Sequence, residues 1–252
     1  MNQLFLFSSA IFIFNACSKE DLPTAQPAPA ATNAPTTATP TPNFATVGPA
    51  GVCFAIKSFV DVPPVGGFDF PTIEVGTVGA SFWDENANTL VDAGAINCNE
   101  KSLTKYENNS YLFVPSASEI AGIDLQSGTT WNVAGAATVA SFSYYNTQPI
   151  PLTDELQLAE TANKSEPLSV SVGTVVYADS VQFQIADSEG HSVLHVEVAN
   201  TGSTTFTPTE LSTLTSGQMS VVVAPYNYTL QTFERPIFFV NITTRSKMMT
   251  LE

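Results

Sequence analysis

The sequence predicts an all-β, sandwich-like fold, and three features of it carry that expectation. Short runs rich in Val, Ile, Phe, Tyr and Thr recur from Gly51 onwards. Clusters of Gly, Pro, Asn and Asp separate them at intervals of about 8 to 12 residues, the spacing of turns in a β-sandwich. No stretch of even about ten residues shows the apolar periodicity of a helix.

Taken in order, Gly51-Val52-Cys53-Phe54-Ala55-Ile56 opens the series, and Asp61-Val62-Pro63-Pro64-Val65-Gly66-Gly67 interrupts it with turn chemistry. Runs at 79–83 and 89–93 flank Asp84-Glu85-Asn86-Ala87-Asn88, a hairpin signal. Strands at 111–114, 130–133 and 140–144 stop near Pro115, Gly135 and Pro149, and residues 116–120 amount to one helical turn at most. A seam falls at Pro149-Ile150-Pro151-Leu152. Beyond it, 168–172 and 180–185 alternate polar with apolar, the mark of a strand with one face on a core and one in water.

Asp187-Ser188-Glu189-Gly190 turns the chain back into a strand at 193–198, and Thr209-Glu210-Leu211 reads as a short helical turn. Runs at 219–224, 226–230 and 236–242 supply further strands. In the last, Ile237-Phe238-Phe239-Val240 is apolar on both faces, which places it in the middle of its sheet. The pattern suits immunoglobulin-like or related sandwiches, expected as two β units at 51–150 and 151–252; one larger sandwich spanning both is the alternative.

Two segments of different composition precede the strands. Residues 4–14 are apolar apart from Ser8 and Ser9, about the length of a signal-peptide core and too short to cross a bilayer as a helix. Residues 22–49 are dominated by Pro, Ala and Thr and bury too little to offset the entropy of ordering them. As extended polyproline, at about 3.1 Å per residue, such a tether holds a folded body up to roughly 70 Å from its attachment point.

Asn15-Ala16-Cys17, at the end of the apolar run, resembles the lipobox of bacterial lipoprotein precursors. The resemblance implies a signal peptide over 1–16, cleavage before Cys17, acyl chains on that residue, and a lipidated linker over 17–50. Ser18-Lys19-Glu20-Asp21 is similar to the export signal of Bacteroidota surface lipoproteins. That implies an outer-membrane protein displayed at the cell surface, with the periplasmic leaflet as the alternative. No later run of about 18 apolar residues occurs, so the lipid is the expected membrane attachment.

Asp and Glu total 23 against 8 Lys and Arg, for a formal net charge of −15. So negative a body repels phosphate backbones and anionic headgroups, which argues against nucleic-acid partners and peripheral membrane adsorption. Of three cysteines, Cys53 and Cys98 remain once Cys17 is set aside. An even pair in an exported chain favours a disulfide, here closing a loop of about 45 residues and contributing a few kcal/mol.

Chemistry-bearing motifs are sparse. Asp84-x-Asn86-x-Asn88-x-x-x-Asp92 begins like a calcium loop, but Thr89 stands where the sharp-turn glycine belongs and Ala95 where the final Glu belongs, so a hairpin turn is the better reading. His191 and His195 lie about 13 Å apart along a strand, too far to grip one ion, and read as solvent-facing. Neither a Gly-x-Ser-x-Gly elbow nor a Gly-rich phosphate loop occurs. No catalytic residue, metal or cofactor is predicted.

Aromatic residues are the remaining resource. Trp83 and Trp131 read as core anchors. Tyr144, Tyr145, Tyr226 and Tyr228 are the ligand-binding candidates, because one of the adjacent pair must face outward and the alternate pair shares a face. The expected function is a non-catalytic recognition or adhesion module with a glycan or protein partner. The alternatives are a structural subunit of a surface assembly, with strand 236–242 offering an edge if peripheral, and a glycan hydrolase using Asp84 with Glu85 or Asp187 with Glu189.

Overall fold

A computed structural model of the chain describes residues 50–60, 72–84, 89–116 and 118–252. The expected signal peptide, Cys17 and the expected tether, the turn expected over 61–67, and the middle of the 84–88 hairpin lie outside these residues.

The chain is all-β and sandwich-like. Numbered in chain order, ten strands form the main sheet along the path β15 (Ser192–Val198), β14 (Ser180–Ala186), β17 (Gly217–Thr232), β18 (Pro236–Leu251), β1 (Gly51–Val60), β2 (Ile73–Asp84), β7 (Tyr111–Phe113) and β6 (Thr104–Lys105). β11 (Thr161–Ala162) pairs with β18, and β3 (Thr89–Leu90) pairs with the end of β2 across the expected hairpin. A second sheet runs β5 (Lys101–Ser102), β4 (Ile96–Cys98), β8 (Thr129–Val133) and β9 (Phe142–Asn146). β12 (Leu168–Ser171) pairs with β16 (Ser203–Phe206), and β10 (Leu152–Thr153) with β13 (Val175–Val176). A helical turn, α1 (Pro208–Leu211), is closed by a capping box in which Thr207 and Glu210 satisfy each other's main-chain N–H groups.

The long hairpin of β17 and β18 organises the rest, each strand being 16 residues. One face of β18 contributes Ile237 and Phe239 to a first core, where the four-stranded sheet supplies Ile96, Cys98, Trp131, Val133 and Phe142. Farther along the same face, Met249 and Leu251 enter a second core with Leu168, Val170, Phe183, Phe206 and Leu211. Between the two cores that face turns polar and stays buried at Asn241 and Thr243. There the predicted seam crosses the hairpin: Thr243 Oγ1 donates to Pro151 O at 2.5 Å and Asn241 Nδ2 to Gln148 O at 3.1 Å. The passage from 150 to 151 therefore separates two cores, while the main sheet continues through both halves. Strand 236–242, read as central, lies within β18 between β17 and β1.

Two expectations are corrected. The runs at 219–224 and 226–230 are one strand, because β17 continues through Pro225. Its register with β18 skips Ala224 and Pro225 and resumes unshifted at Tyr226, so the missing proline N–H interrupts the ladder without ending the strand. The Cys53–Cys98 disulfide is absent, and both residues are free thiols buried in the first core. Burial pushes the Cys98 thiol up to about 12, and burial together with the neighbouring Cys98 pushes Cys53 well above its usual value. Cysteine parity carries no information about this burial.

Candidate functional site

The outer face of the four-stranded sheet carries a row of uncharged polar side chains. Register aligns Ser102 with Asn97, Asn97 with Asn132, and Asn132 with Ser143. Side chains alternate along a strand, so this row points away from the core that takes the neighbouring Cys98, Trp131 and Phe142. Ser102 Oγ donates to Asn97 Oδ1 at 2.7 Å, and Ser143 Oγ donates to Asn132 Oδ1 at 2.9 Å. Each amide oxygen is thus occupied, whereas both NH2 groups remain without a partner among the described residues.

Beside the row, the next cross-strand positions hold Ala95, Ala134 and Ser141, with Ala134 N donating to Ala95 O at 2.9 Å. These residues are too small to fill the face, and an open groove of about 390 Å³ lies over them and over Asn97, Asn132 and Ser143.

Tyr145 stands on the same outer face, two residues beyond Ser143, and is 54% exposed. Its hydroxyl donates to Ser127 O at 2.6 Å, which fixes the ring against the turn before β8. Gly128 makes this approach possible: its φ is +87°, and a Cβ there would lie 2.5 Å from Asn146 O and 3.2 Å from Tyr145 Cε2. Asn99 fastens the same turn, its Nδ2 donating to Asp124 O at 2.9 Å and Gly128 O at 3.1 Å while its Oδ1 accepts from Thr130 N at 2.7 Å. Asn99 and Glu100 both have positive φ, as a two-residue hairpin turn between β4 and β5 requires.

Among the described residues, no ionisable side chain lines the groove. Lys101, at the end of the sheet, is ion-paired with Glu119. The face therefore offers amide donors, hydroxyls and one pinned aromatic ring without formal charge.

Of the four tyrosines selected from sequence, only Tyr145 belongs to this face. Tyr144 points inward, its ring 4.3 Å from Phe239 and 6.3 Å from Phe233, and is a core residue. Tyr226 and Tyr228 do share a face of β17, but it is the face opposite the two cores, so they stand across the main sheet from the four-stranded sheet. Burial raises the Tyr226 phenol. Tyr228 packs edge-on to Phe238 at 5.7 Å, and its main-chain N–H donates to Asp179 Oδ2 at 3.0 Å. The tyrosines therefore form no common site. Asn97, Asn132 and Ser143 were not selected, because nothing in the chain marks strand residues that meet only through register.

The histidine expectation holds for one residue. His191 is exposed, its Nδ1 lying 2.8 Å from Asp187 Oδ2. His195 is not solvent-facing: Nε2 lies 2.8 Å from Glu210 Oε1, Nδ1 lies 3.0 Å from Thr204 Oγ1, and the ring stacks on Phe206 at 4.4 Å. The segment after β15 folds back beside it, which strand alternation alone does not reveal. Asp187 accepts main-chain N–H bonds from Glu189, His191 and Thr215, each at 2.9 Å, and so ties its turn together.

The chain matches no protein family model and no curated protein sequence.

Proposed function

We propose that the β-rich body is a non-catalytic recognition module, and that the groove of the four-stranded sheet takes a neutral, polyhydroxylated ligand of the glycan class. The observation that carries this reading is the pair of amide groups on Asn97 and Asn132, without a partner among the described residues, which line an uncharged groove on the sheet face that also bears, nearer the turn before β8, the pinned ring of Tyr145. Sugar hydroxyls supply both acceptors for those amides and donors for the serine oxygens, and the C–H face of a pyranose suits an exposed tyrosine ring. Among the described residues no counter-charge lines the groove to meet a charged ligand.

Export and lipid anchoring belong to the same proposal and rest on residues 4–22: the apolar run, Cys17 and the Ser-Lys-Glu-Asp that follows it. In that setting the Pro/Ala/Thr tether holds the groove away from the membrane, within reach of external glycans. A glycan array probed with the full chain tests the binding reading. Signal on neutral oligosaccharides, lost in both Asn132→Ala and Tyr145→Ala, supports it; a blank array, or signal indifferent to both substitutions, refutes it. Mass spectrometry of the mature N terminus tests the anchor, with acylated Cys17 expected as its first residue.

A further inference from the structure

Lys57 is ion-paired with Glu74, Lys101 with Glu119 and Lys105 with Asp92, and Lys164 donates to Leu214 O. Lys247 has no such partner among the described residues, although Asp and Glu outnumber Lys and Arg by 23 to 8. Its position makes the omission costly. Register sets Lys247 opposite Val221 of β17, a second-core residue, and Arg245 opposite Phe59 of β1, so both cations lie on the face of β18 that carries the cores. Both are half-buried. Like charges two residues apart on one strand face repel, and partial burial weakens the screening that water and salt provide.

The two side chains open into one cleft, lined by Phe59, Glu155, Leu156, Arg245, Ser246 and Lys247. Its volume of about 60 Å³ leaves room for a few waters or one small oxyanion. The Arg245 guanidinium is held from two sides: it lies over the Phe59 ring, 3.5 Å from the centroid, and its Nη2 donates to Thr153 O at 3.3 Å. A fixed guanidinium beside an uncommitted ammonium is a donor set suited to phosphate and carboxylate oxygens. Two carboxylates lie close by, and neither takes the ammonium. Asp154 accepts from Thr174 N at 2.8 Å, and Glu155, though it lines the cleft, forms no ion pair with Lys247.

We propose that this cleft binds a small oxyanion between the Arg245 guanidinium and the Lys247 ammonium, with Glu155 as the carboxylate that opposes it. The anion supplies the counter-charge that the chain withholds from Lys247. The cleft shares no lining residue with the groove of the four-stranded sheet, so the proposal does not depend on what that groove binds.

Heteronuclear NMR of the full chain in a Cys17→Ser background tests it, by titration with sodium phosphate and separately with sodium acetate against sodium chloride at equal ionic strength. Saturable shifts of the Ser246 and Lys247 amides and of the Arg245 Nε–H are expected with at least one of the two oxyanions, and none with chloride. Phosphate alone marks a tetrahedral oxyanion, acetate alone a carboxylate, and both together a site that reads charge and not shape. Lys247→Met keeps the aliphatic stem and should abolish saturation, while its thermal midpoint in chloride stays level or rises because a repulsion is removed. Lys247→Gln takes its place if that variant does not fold. Glu155→Gln should tighten binding about three-fold or more, since it removes a like charge from the cleft. No saturation with either oxyanion, or saturation undiminished by the loss of the Lys247 charge, would overturn the proposal. So would a midpoint lowered alike by Lys247→Met and Glu155→Gln, the signature of an ion pair between those two residues.

Discussion

Asn227 of β17 and Asn241 of β18 stand directly opposite each other in the long hairpin, and Asn241 Nδ2 donates to Asn227 Oδ1 at 3.1 Å. Both residues are almost wholly buried, at 4% and 2% exposed. Asn227 Nδ2 in turn donates to Pro149 O and Tyr177 O, both at 2.7 Å. Pro149 and Pro151 have no N–H, so the segment containing them cannot pair as a strand, and its carbonyls need side-chain donors once buried. The polar interruption in the apolar stripe of β18 thus allows the chain to pass from one core to the other.

Replacing Asn227 by Leu keeps the volume and removes the donors. Two main-chain carbonyls and one Asn241 N–H then lose their partner inside the protein, and the expected loss of stability is about 2–4 kcal/mol. Urea unfolding measures it as a lower midpoint at unchanged slope. In a cycle with Asn241→Ala, a coupling of about 0.5–3 kcal/mol is expected. Strict additivity would show that the two amides act separately.

Cys53 and Cys98 should resist thiol reagents in the folded protein and react fully in denaturant. Burial raises both thiols, Cys98 to about 12, so very little thiolate exists at neutral pH. Differential alkylation followed by peptide mapping reads this directly. Recovery of the two cysteine peptides joined under non-reducing conditions would contradict the free-thiol structure.

Acid should weaken the fold through its capped carboxylates. Burial acts to raise Asp187, but the N–H of Thr215, the His191 ring and the N–H groups of His191 and Glu189 outweigh it and hold the carboxyl below its usual range. The N–H of Thr207, then His195 and the Thr207 hydroxyl, lower Glu210 to about 2. A carboxyl depressed in the folded state contributes stability above its unfolded pKa, near 4, and loses it as pH falls through the folded value. The thermal midpoint should therefore decline below about pH 4. Asp187→Asn should be destabilised most at neutral pH, with the gap to the parent chain narrowing in acid; a gap constant with pH would show that the carboxylate charge contributes nothing.

Much of the fold was legible because one strand suffices to read it. The alternation at 180–185 became β14, with Val181, Phe183 and Ile185 in the second core. The doubly apolar Ile237-Phe238-Phe239-Val240 lies in β18 with all four side chains buried. What needed two strands was hidden. The rule that one ring of Tyr144-Tyr145 faces out cannot say which; the register of Tyr144 with the buried Trp131 decides it. Asn97, Asn132 and Ser143 each resemble a turn former and become a surface only when β4, β8 and β9 align. The free thiols and the engaged His195 likewise depend on neighbours distant in sequence. Pro225 was misleading for another reason: a proline usually stops a strand, yet here pairing with β18 on both sides of the gap carries the strand through.

Recognition through the groove is tested most directly by isothermal titration of one neutral oligosaccharide, the strongest on the array, into the full chain and its variants. Asn132→Ala and Tyr145→Ala should each weaken binding about five- to thirty-fold, the loss of about one to two kcal/mol expected for a ligand hydrogen bond or ring contact. Asn132→Ala should leave the thermal midpoint in place, because Asn132 is exposed, whereas Tyr145→Ala should lower it slightly through loss of the hydroxyl bond to Ser127 O. Tyr228→Ala, across the main sheet, should leave affinity unaltered. Undiminished affinity in Asn132→Ala and Tyr145→Ala, or a loss confined to Tyr228→Ala, would contradict the assignment of the groove.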